Sequence, residues 1–374
     1  MKFKNRIRIA TLTFMAFFSF LVCSSYSVPI KEPRNLVLIL IDGYRWRELF
    51  RGADQGLLLN VKFNSGDSAE RFKKYWDDEL LVRRKKLMPF TWSFIAKHGQ
   101  LYGNRDLGNF VNVKNPYRIS YPGRAEVLSG FVDSSINSNS YPNNSNMNVL
   151  EFLNGKKLYQ NRVASFACWG ATGRCLNKMN SKMLINVPWE NVPGDNLTEA
   201  ETLANEIQQY APRTFGEGER LDFEVYALAK SYIKAKHPKV IYIDFGDPDE
   251  YAHEGKYENY LDDIHNLDDM IGKLWKMMQE DEFYKGKTTF FIVPDHGRGA
   301  GDQWPDHGAG VDHSNETWFM AMGPGIPAKG EIKTKTQVFQ DQYAKTIAAL
   351  LGFDYIAPKP VGEIIESLTN KHRD

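Results

Sequence analysis

Acidic side chains follow three apolar runs of the sequence, close to the point where each run ends. These side chains are Asp42, Asp249 and Asp295. His253 follows Asp249 by four residues, a spacing that puts both side chains on one face of a helical turn. His296 is adjacent to Asp295. Carboxylate and imidazole ligands without cysteine suit zinc or manganese better than calcium, so the pattern predicts a transition-metal centre.

Two later histidines are candidates to complete such a centre. His307 and His313 lie in a loop rich in glycine and aspartate, just before the apolar run Trp318–Met322. Either side chain could supply a further imidazole ligand. Their spacing alone does not choose between them.

Ser120 is the candidate nucleophile. It precedes Pro122-Gly123 and an apolar run with helical spacing, which predicts a turn into a helix N-terminus. Backbone N–H groups at such a terminus can hold an anion, and a nearby metal ion would lower the pKa of the hydroxyl. The alternative interpretation is that Ser120 only caps the helix.

The elements that must position these residues are strands alternating with helices. Continuous hydrophobicity predicts strands that are covered on both faces of a parallel sheet. The predicted strands are Leu36–Ile41, Arg162–Ala167, Lys239–Phe245, Thr288–Val293 and Trp318–Met322. Amphipathic spacing predicts helices at Leu261–Gln279 and Val338–Leu351. The order indicates a doubly wound α/β fold, in which ligands bind at the carboxyl ends of the strands.

The N-terminal residues 1–27 are typical of a secretory signal. Basic residues precede the apolar segment Ile9–Val22, and small and polar residues follow it up to Ser27. We expect cleavage after Ser27 and export to the periplasm or the medium. The segment is shorter than a stable membrane span needs, and lipid attachment at Cys23 is disfavoured because Val22 precedes it.

The rest of the chain, residues 28–374, is predicted to form a single catalytic domain. Two stretches interrupt the alternation of strands and helices and are interpreted as insertions, near residues 50–86 and 177–217. The net charge of +1, from 47 basic and 46 acidic residues, does not favour a nucleic-acid scaffold. Cys168 and Cys175 are interpreted either as one disulfide or as two buried thiols.

Five segments, in this order, resemble the alkaline phosphatase superfamily, and in particular its nucleotide pyrophosphatase/phosphodiesterase-like branch and related secreted bacterial phosphatases. The matching segments are Asn35–Tyr44, Ser120–Gly130, Asp247–His253, Pro294–Gly297, and the run from Asp312-His313 to Gly323-Pro324. They span residues 35–325, so the resemblance covers most of the chain. It implies an alkaline phosphatase-like fold and a small phosphate ester as the substrate.

The resemblance also implies two divalent metal ions, with zinc favoured over manganese. The two ligand sets correspond to Asp42, Asp295 and His296, with Ser120 on the same ion, and to Asp249, His253 and a late histidine. His313 fits this late position better than His307, because the last strand and Gly323-Pro324 follow it directly.

The implied reaction is the hydrolysis of phosphate monoesters or diesters. Ser120 would attack phosphorus in line, and water would then hydrolyse the covalent phosphoseryl intermediate. Asn139 loosely matches an asparagine that contacts a phosphoryl oxygen in the phosphodiesterase branch. Arg124 is a further candidate for contact with the phosphoryl group.

A second resemblance sets up the main alternative. Ser120 and Arg124, four residues later, also match the sulfatase signature, in which the first residue is oxidised to formylglycine and a single calcium ion is bound. Phosphate esters are favoured over sulfate esters as substrates, because a site for a single calcium ion would not use Asp249, His253 and a late histidine as ligands. A non-catalytic binding protein on this scaffold is disfavoured because every ligand position carries a competent side chain.

Overall fold

The computed structural model describes residues 34–369. The predicted signal segment, its cleavage site and Cys23 lie outside the described residues. Within the described range, no helix is both long enough and apolar enough to cross a membrane.

The strands are short and are distributed along the whole described chain. They are β1 (Asn35–Ile41), β2 (Gly99–Tyr102), β3 (Asn109–Asn112), β4 (Val163–Ala167), β5 (Leu184–Asn186), β6 (Val240–Phe245), β7 (Thr288–Val293), β8 (Glu316–Thr317), β9 (Phe319–Met322), β10 (Gly330–Glu331) and β11 (Thr336–Phe339).

Helices fill most of the connections between these strands. They are α1 (Trp46–Arg51), α2 (Gln55–Leu59), α3 (Ser68–Tyr75), α4 (Leu80–Leu87), α5 (Ala96–His98), α6 (Ser120–Ser129), α7 (Val149–Asn154), α8 (Gly170–Cys175), α9 (Glu199–Tyr210), α10 (Asp222–Lys236), α11 (Asp247–His253), α12 (Tyr257–Glu280) and α13 (Tyr343–Leu350). A π-helical turn, Thr91–Ile95, leads into α5.

Eight strands form the main sheet, in the order β10-β2-β9-β7-β1-β6-β4-β5. Only β9 runs antiparallel to its two neighbours, and the other pairs in this sheet are parallel. A small second sheet has the order β11-β3-β8. The predicted fold class, a mostly parallel sheet with helices packed against it, is confirmed.

The core lies on both faces of the main sheet, which explains why β1 is apolar throughout. Alternate β1 side chains, such as Ile39, belong to one buried cluster together with Leu267 and Ile271 of α12. The intervening ones, such as Leu38, belong to a second buried cluster with Ile347 of α13. Strands covered on both faces have no polar face, so their sequence does not alternate.

The predicted helix Val338–Leu351 is wrong in its first half. Residues Thr336–Phe339 form β11, which pairs with β3 in the small sheet, and a 3₁₀ turn at Gln340–Gln342 precedes α13. β-Branched Val338 satisfies the helical spacing of the apolar residues, but its strand pairing decides the local structure.

The two predicted insertions differ in character. Residues 50–86 form α2, α3 and α4, whose Leu58 and Tyr75 are buried in the main core. Residues 177–217 contain β5 and α9 within otherwise irregular chain. Cys168 and Cys175 are both buried and free, which agrees with the interpretation as thiols rather than as a disulfide.

Candidate metal centre

The carboxyl ends of three adjacent strands bring the predicted acidic residues together. β1 lies between β7 and β6, with Leu40 opposite Val293 on β7. Asp42 and Asp295 therefore leave neighbouring strands at the same edge of the sheet. Asp249 reaches this edge from α11, which begins two residues after β6 ends. This is the edge at which ligands bind in open α/β sheets.

The first group of candidate ligands contains Asp42, Asp295 and His296, whose ligand atoms lie within 4.8 Å of one another. His296 Nε2 is 3.1 Å from Asp42 Oδ1. On the other side of the ring, Nδ1 is 3.0 Å from the carbonyl oxygen of Gly297. A carbonyl oxygen only accepts hydrogen bonds, so Nδ1 donates, and Nε2 is directed at the carboxylates.

The second group contains Asp249, His296 and His307, again within 4.8 Å of one another. His307 Nε2 lies 3.0 Å from His253 Nε2 and 3.9 Å from Asp249 Oδ1. His307 Nδ1 is 3.2 Å from the carbonyl oxygen of Arg118, which orients the ring as Gly297 orients His296. His253 also approaches Asp249 Oδ2 at 3.0 Å.

The structure places His307, and not His313, beside the other candidate ligands. His313 Nδ1 lies 3.0 Å from Glu316 Oε1, and the side chain is 39% exposed. The loop that follows Asp295 is folded back by a hydrogen bond from Gly299 N to Asp306 O, which brings His307 over the metal centre. The proximity of His313 to the last strand in the sequence does not show this placement, because the fold of the loop decides which histidine faces the other candidate ligands.

The surroundings of His307 and His296 shift the pKa values of these two imidazoles in opposite directions. Burial, together with the neighbouring His296, lowers the pKa of His307 to about 3, so this imidazole is neutral and available as a ligand. Burial opposes protonation of His296, but the carboxylates of Asp295 and Asp42 raise its pKa to about 9. A group of carboxylates that holds a proton in this way also attracts a metal cation.

The residues fit the divalent ions that the sequence implies. Asp42 Oδ1 is buried and accepts no hydrogen bond, although buried carboxylate oxygens nearly always have a partner. It lies 3.1 Å from His296 Nε2. Two groups of oxygen and imidazole donors meet at His296, and a metal cation would satisfy both the unpaired oxygen and the ring nitrogens.

Arg124 lies beneath this centre rather than in contact with solvent. Its side chain is fully buried, and its guanidinium bonds Asp42 at 2.9 Å, Asp244 at 2.9 Å and Asp295 at 2.5 Å. Arg124 does not line the pocket above the metal centre. Its predicted contact with substrate is therefore not supported, because the carboxylates already occupy its donors.

Arg298 is a second buried cation beside the candidate ligands. Its guanidinium pairs with Asp249, and Nη2 lies 3.4 Å from His253 Nδ1. The same side chain donates to the carbonyl oxygens of Trp304 and Pro305. Arg298 therefore connects the ligand-bearing α11 to the loop that carries His307.

Ser120 is the first residue of α6, and its Oγ lies 3.3 Å from His296 Nε2. The N-cap of α6 is Ile119, which makes no side-chain cap, so the interpretation of Ser120 as only an N-cap is wrong. Gly123 permits this approach, since a Cβ there would lie 2.4 Å from the carbonyl oxygen of Asp295. The start of α6 is thereby held against the end of β7.

The pocket above the metal centre is formed by the predicted site residues and by several that the sequence did not indicate. Its lining is Asp42, Ser120, Asn139, Cys168, Trp169, Glu219, Gly246, Asp249, Glu250, His253 and His307. Asn139 Oδ1 accepts a hydrogen bond from Tyr121 N at 2.9 Å. This fixes the amide and leaves its Nδ2 without a protein acceptor among the described residues.

One wall of the pocket carries a pair of carboxyl groups, Glu219 and Glu250, which hydrogen bond to each other. Burial and the adjacent Glu250 raise the pKa of Glu219 to about 9, and burial raises the pKa of Glu250 to about 7. Two interacting carboxyls titrate as a unit, so the pair retains one proton near neutral pH and gains one negative charge as the pH rises through about 7. Trp169 forms an adjoining flat wall.

Comparison with known proteins connects this site to a family. Residues 217–348 match the model of the Metalloenzyme superfamily, a segment that includes Asp249, His253, Asp295, His296 and His307. A stretch of 99 residues is 30% identical to human GPI ethanolamine phosphate transferase 1, covering 26% of this chain and 10% of that protein. The chain thus spans about a tenth of the length of this curated relative.

Solved structures share the fold at low sequence identity. Wild-type alkaline phosphatase PafA has a TM-score of 0.58 at 10% identity, with 90% of this chain and 99% of that chain covered. The phosphonate monoester hydrolase of Agrobacterium radiobacter has a TM-score of 0.53 at 13% identity, with coverage of 90% and 77%. A 2-O GAG sulfatase has a TM-score of 0.53 at 14% identity, with coverage of 90% and 74%.

The predicted resemblance is confirmed by these two kinds of match together. The family model matches the segment that supplies most of the candidate ligands, and the shared fold extends over 90% of the chain. Residues 217–348 are thus similar to the Metalloenzyme superfamily, and the chain shares its fold with alkaline phosphatase-like structures.

Proposed function

We propose that this protein is a two-metal phosphodiesterase in which Ser120 is the nucleophile. The observation that carries the proposal is the composition of the pocket. Ser120 shares it with ligands from both candidate groups, while no lysine or arginine is among its lining residues. The nucleophile and the ligands are thus present together, without the cationic clamp that a dianionic phosphoryl group requires.

The metal chemistry fits the donor atoms. Two divalent ions held by the ligand groups of Asp42, Asp295 and His296 and of Asp249, His253 and His307 would lower the pKa of the Ser120 hydroxyl and neutralise charge that develops on the phosphoryl oxygens. Zinc is the favoured ion and manganese the alternative, because the donors are oxygens and imidazoles.

The protein groups supply position and hydrogen bonds. Ser120 Oγ would attack phosphorus, the bond from phosphorus to the leaving alcohol would break, and a phosphoseryl diester would form. Attack of water on phosphorus would then release Ser120, whose oxygen regains a proton. Asn139 Nδ2 is placed to donate to a phosphoryl oxygen during both steps, because its Oδ1 is already held by Tyr121 N.

The charge of the pocket wall supports diesters over monoesters. A phosphate diester carries one negative charge, whereas a monoester carries about two near neutral pH. The negative charge shared by Glu219 and Glu250 disfavours the second charge of a monoester. Trp169 offers an apolar surface for the second ester arm.

A side-by-side assay of three esters tests this proposal. Zinc-loaded protein is given p-nitrophenyl phosphate, bis-p-nitrophenyl phosphate and p-nitrophenyl sulfate, and kcat/KM is measured for each. We expect the bis ester to be hydrolysed with the highest kcat/KM. Preference for the monoester would overturn the diester assignment, and preference for the sulfate, with formylglycine detected at Ser120 by mass spectrometry, would establish the sulfatase alternative.

A further inference from the structure

A second group of buried carboxylates lies apart from the metal centre. Asp222 begins α10, Asp247 begins α11, and Asp263 lies inside α12. Their side chains are 0%, 6% and 8% exposed, respectively. One oxygen from each lies within 4.8 Å of the oxygens from the other two.

Helix capping accounts for only part of this arrangement. Asp222 accepts hydrogen bonds from Gly246 N at 2.7 Å and Asp247 N at 3.1 Å, and Asp247 accepts one from Asp222 N at 3.2 Å. These bonds explain two carboxylates at the starts of helices. Asp263 does not cap a helix, because it lies inside α12, and its Oδ2 is buried without any hydrogen-bond partner.

The three carboxylates also lack a cationic neighbour. Among the described residues, no lysine, arginine or histidine forms an ion pair with Asp222, Asp247 or Asp263. Burial and the neighbouring carboxylates raise the pKa values of Asp222 and Asp263. Buried carboxylates are stable when they are paired, protonated or bound to a metal, and pairing with a side chain is not available here.

We propose that Asp222, Asp247 and Asp263 form a calcium site. The donors are oxygens only, which is the set that hard cations prefer, in contrast to the mixed oxygen and imidazole donors of the metal centre. Two oxygens on opposite sides of a calcium ion at about 2.4 Å would be about 4.8 Å apart, so the observed cluster is compact enough to share one ion. The unpaired Asp263 Oδ2 would gain its missing partner.

Such an ion would have a structural role. It would join the starts of α10 and α11 to the side of α12, and α11 carries Asp249 and His253 of the metal centre. A calcium ion here would therefore fix the helix that presents two catalytic-metal ligands. The proposal does not depend on the substrate or on the reaction, since it concerns residues that do not line the pocket.

Calcium binding to zinc-saturated protein tests the site. Zinc saturation keeps the metal centre filled, so that equilibrium dialysis with radioactive calcium reports additional sites only. We expect one calcium ion per wild-type chain and binding weakened by about tenfold or more in Asp263→Asn. Asp269→Asn is the matched control, because Asp269 is an exposed residue of the same helix paired with Lys273, and it should bind calcium as the wild type does.

Thermal unfolding supplies a second readout. An ion that binds only the folded state raises Tm. Calcium should therefore raise the Tm of the wild type and of Asp269→Asn, but not that of Asp263→Asn. If Asp263→Asn fails to fold, the stoichiometry of the wild type decides alone. Wild-type protein that binds no calcium in the presence of saturating zinc, or that binds no more than a folded Asp263→Asn, overturns the proposal, even if phosphodiesterase activity is present.

Discussion

His307 Nε2 lies 3.0 Å from His253 Nε2, although the two residues are 54 positions apart. This contact closes the candidate metal centre between α11 and the glycine-rich loop that follows Asp295. His307 is 7% exposed at its side chain, and its Nδ1 faces the carbonyl oxygen of Arg118. The ring is thus held with Nε2 directed at the other ligands, as a metal-binding histidine requires.

Replacement of the two late histidines separates their roles. His307→Ala should lower kcat/KM by at least about 100-fold and release one of the two transition-metal ions, because an imidazole ligand is lost. His313→Ala should stay within about twofold of the wild type, because a solvent-accessible contact with Glu316 contributes little. Metal analysis and diester hydrolysis measure both effects. The reverse order of the two variants would restore His313 as the ligand.

Arg124 is expected to act through stability rather than through substrate binding. Arg124→Met leaves Asp42, Asp244 and Asp295 without their shared cation, so the free energy of unfolding should fall by about 3–5 kcal/mol. Urea denaturation measures this loss. The control is Arg51→Met, which breaks a half-exposed pair with Asp106 and should cost at most about 1 kcal/mol. An Arg124 variant with unchanged stability and a raised KM would instead indicate substrate contact.

The carboxyl pair in the pocket wall should respond only when both members are changed. Because Glu219 and Glu250 share a proton, either single change to Gln leaves one negative charge in place. Glu219→Gln combined with Glu250→Gln removes it, and the ratio of monoester to diester kcat/KM should rise about fivefold, equivalent to about 1 kcal/mol of repulsion. Glu217→Gln, at a residue whose side chain is 85% exposed, is the control. An unchanged ratio in the double variant would show that this charge does not select diesters.

Asp268 makes the stability of the fold depend on pH. Burial raises the pKa of its carboxyl to about 6, despite hydrogen bonds from Phe90 N at 2.6 Å and Thr91 N at 2.9 Å. Between about pH 4 and 6 the carboxyl therefore keeps its proton in the folded state and has lost it in the unfolded state. The stability that this group contributes falls by about 2 kcal/mol as the pH rises through that window.

Asp268→Asn cannot titrate, so it isolates this effect. Relative to Asp268→Asn, the wild type should lose about 2 kcal/mol of unfolding free energy between pH 4 and pH 6.5, as measured by urea denaturation. Asp269→Asn, at the exposed neighbouring position, should follow the wild type at both pH values. A wild type that gains stability relative to Asp268→Asn over this range would contradict the raised pKa.

The sequence was sufficient to predict the sheet and most of the candidate ligands. Strands such as β1 are apolar throughout because both of their faces are buried, and a polar residue directly after such a strand is conspicuous. This pattern indicates Asp42, Asp249 and Asp295. The four-residue spacing between Asp249 and His253 indicates a shared helical turn, and both residues lie on α11. These features depend on neighbouring residues in the chain, so one sequence is enough to predict them.

The remaining features depend on contacts between distant segments. The sequence offers both His307 and His313 as late ligands, and it does not reveal the hydrogen bond between Gly299 and Asp306 that folds the loop back and brings His307 to the other candidate ligands. Glu219 lies in an irregular stretch without periodicity, and only the folded chain pairs it with Glu250. The sequence also does not show that carboxylates occupy the donors of Arg124, which leaves this residue as a candidate for substrate contact until the fold is known.

The most direct test of the central claim is the diester hydrolysis rate of Ser120→Ala, measured on a sample whose metal content is determined at the same time. The hydroxyl is the proposed nucleophile, while the carboxylate and imidazole ligands are unchanged in this variant. We predict loss of at least about three orders of magnitude in kcat with two transition-metal ions still bound, in line with the removal of other enzymatic nucleophiles. Undiminished activity in metal-loaded Ser120→Ala would contradict the assignment of Ser120 as the nucleophile.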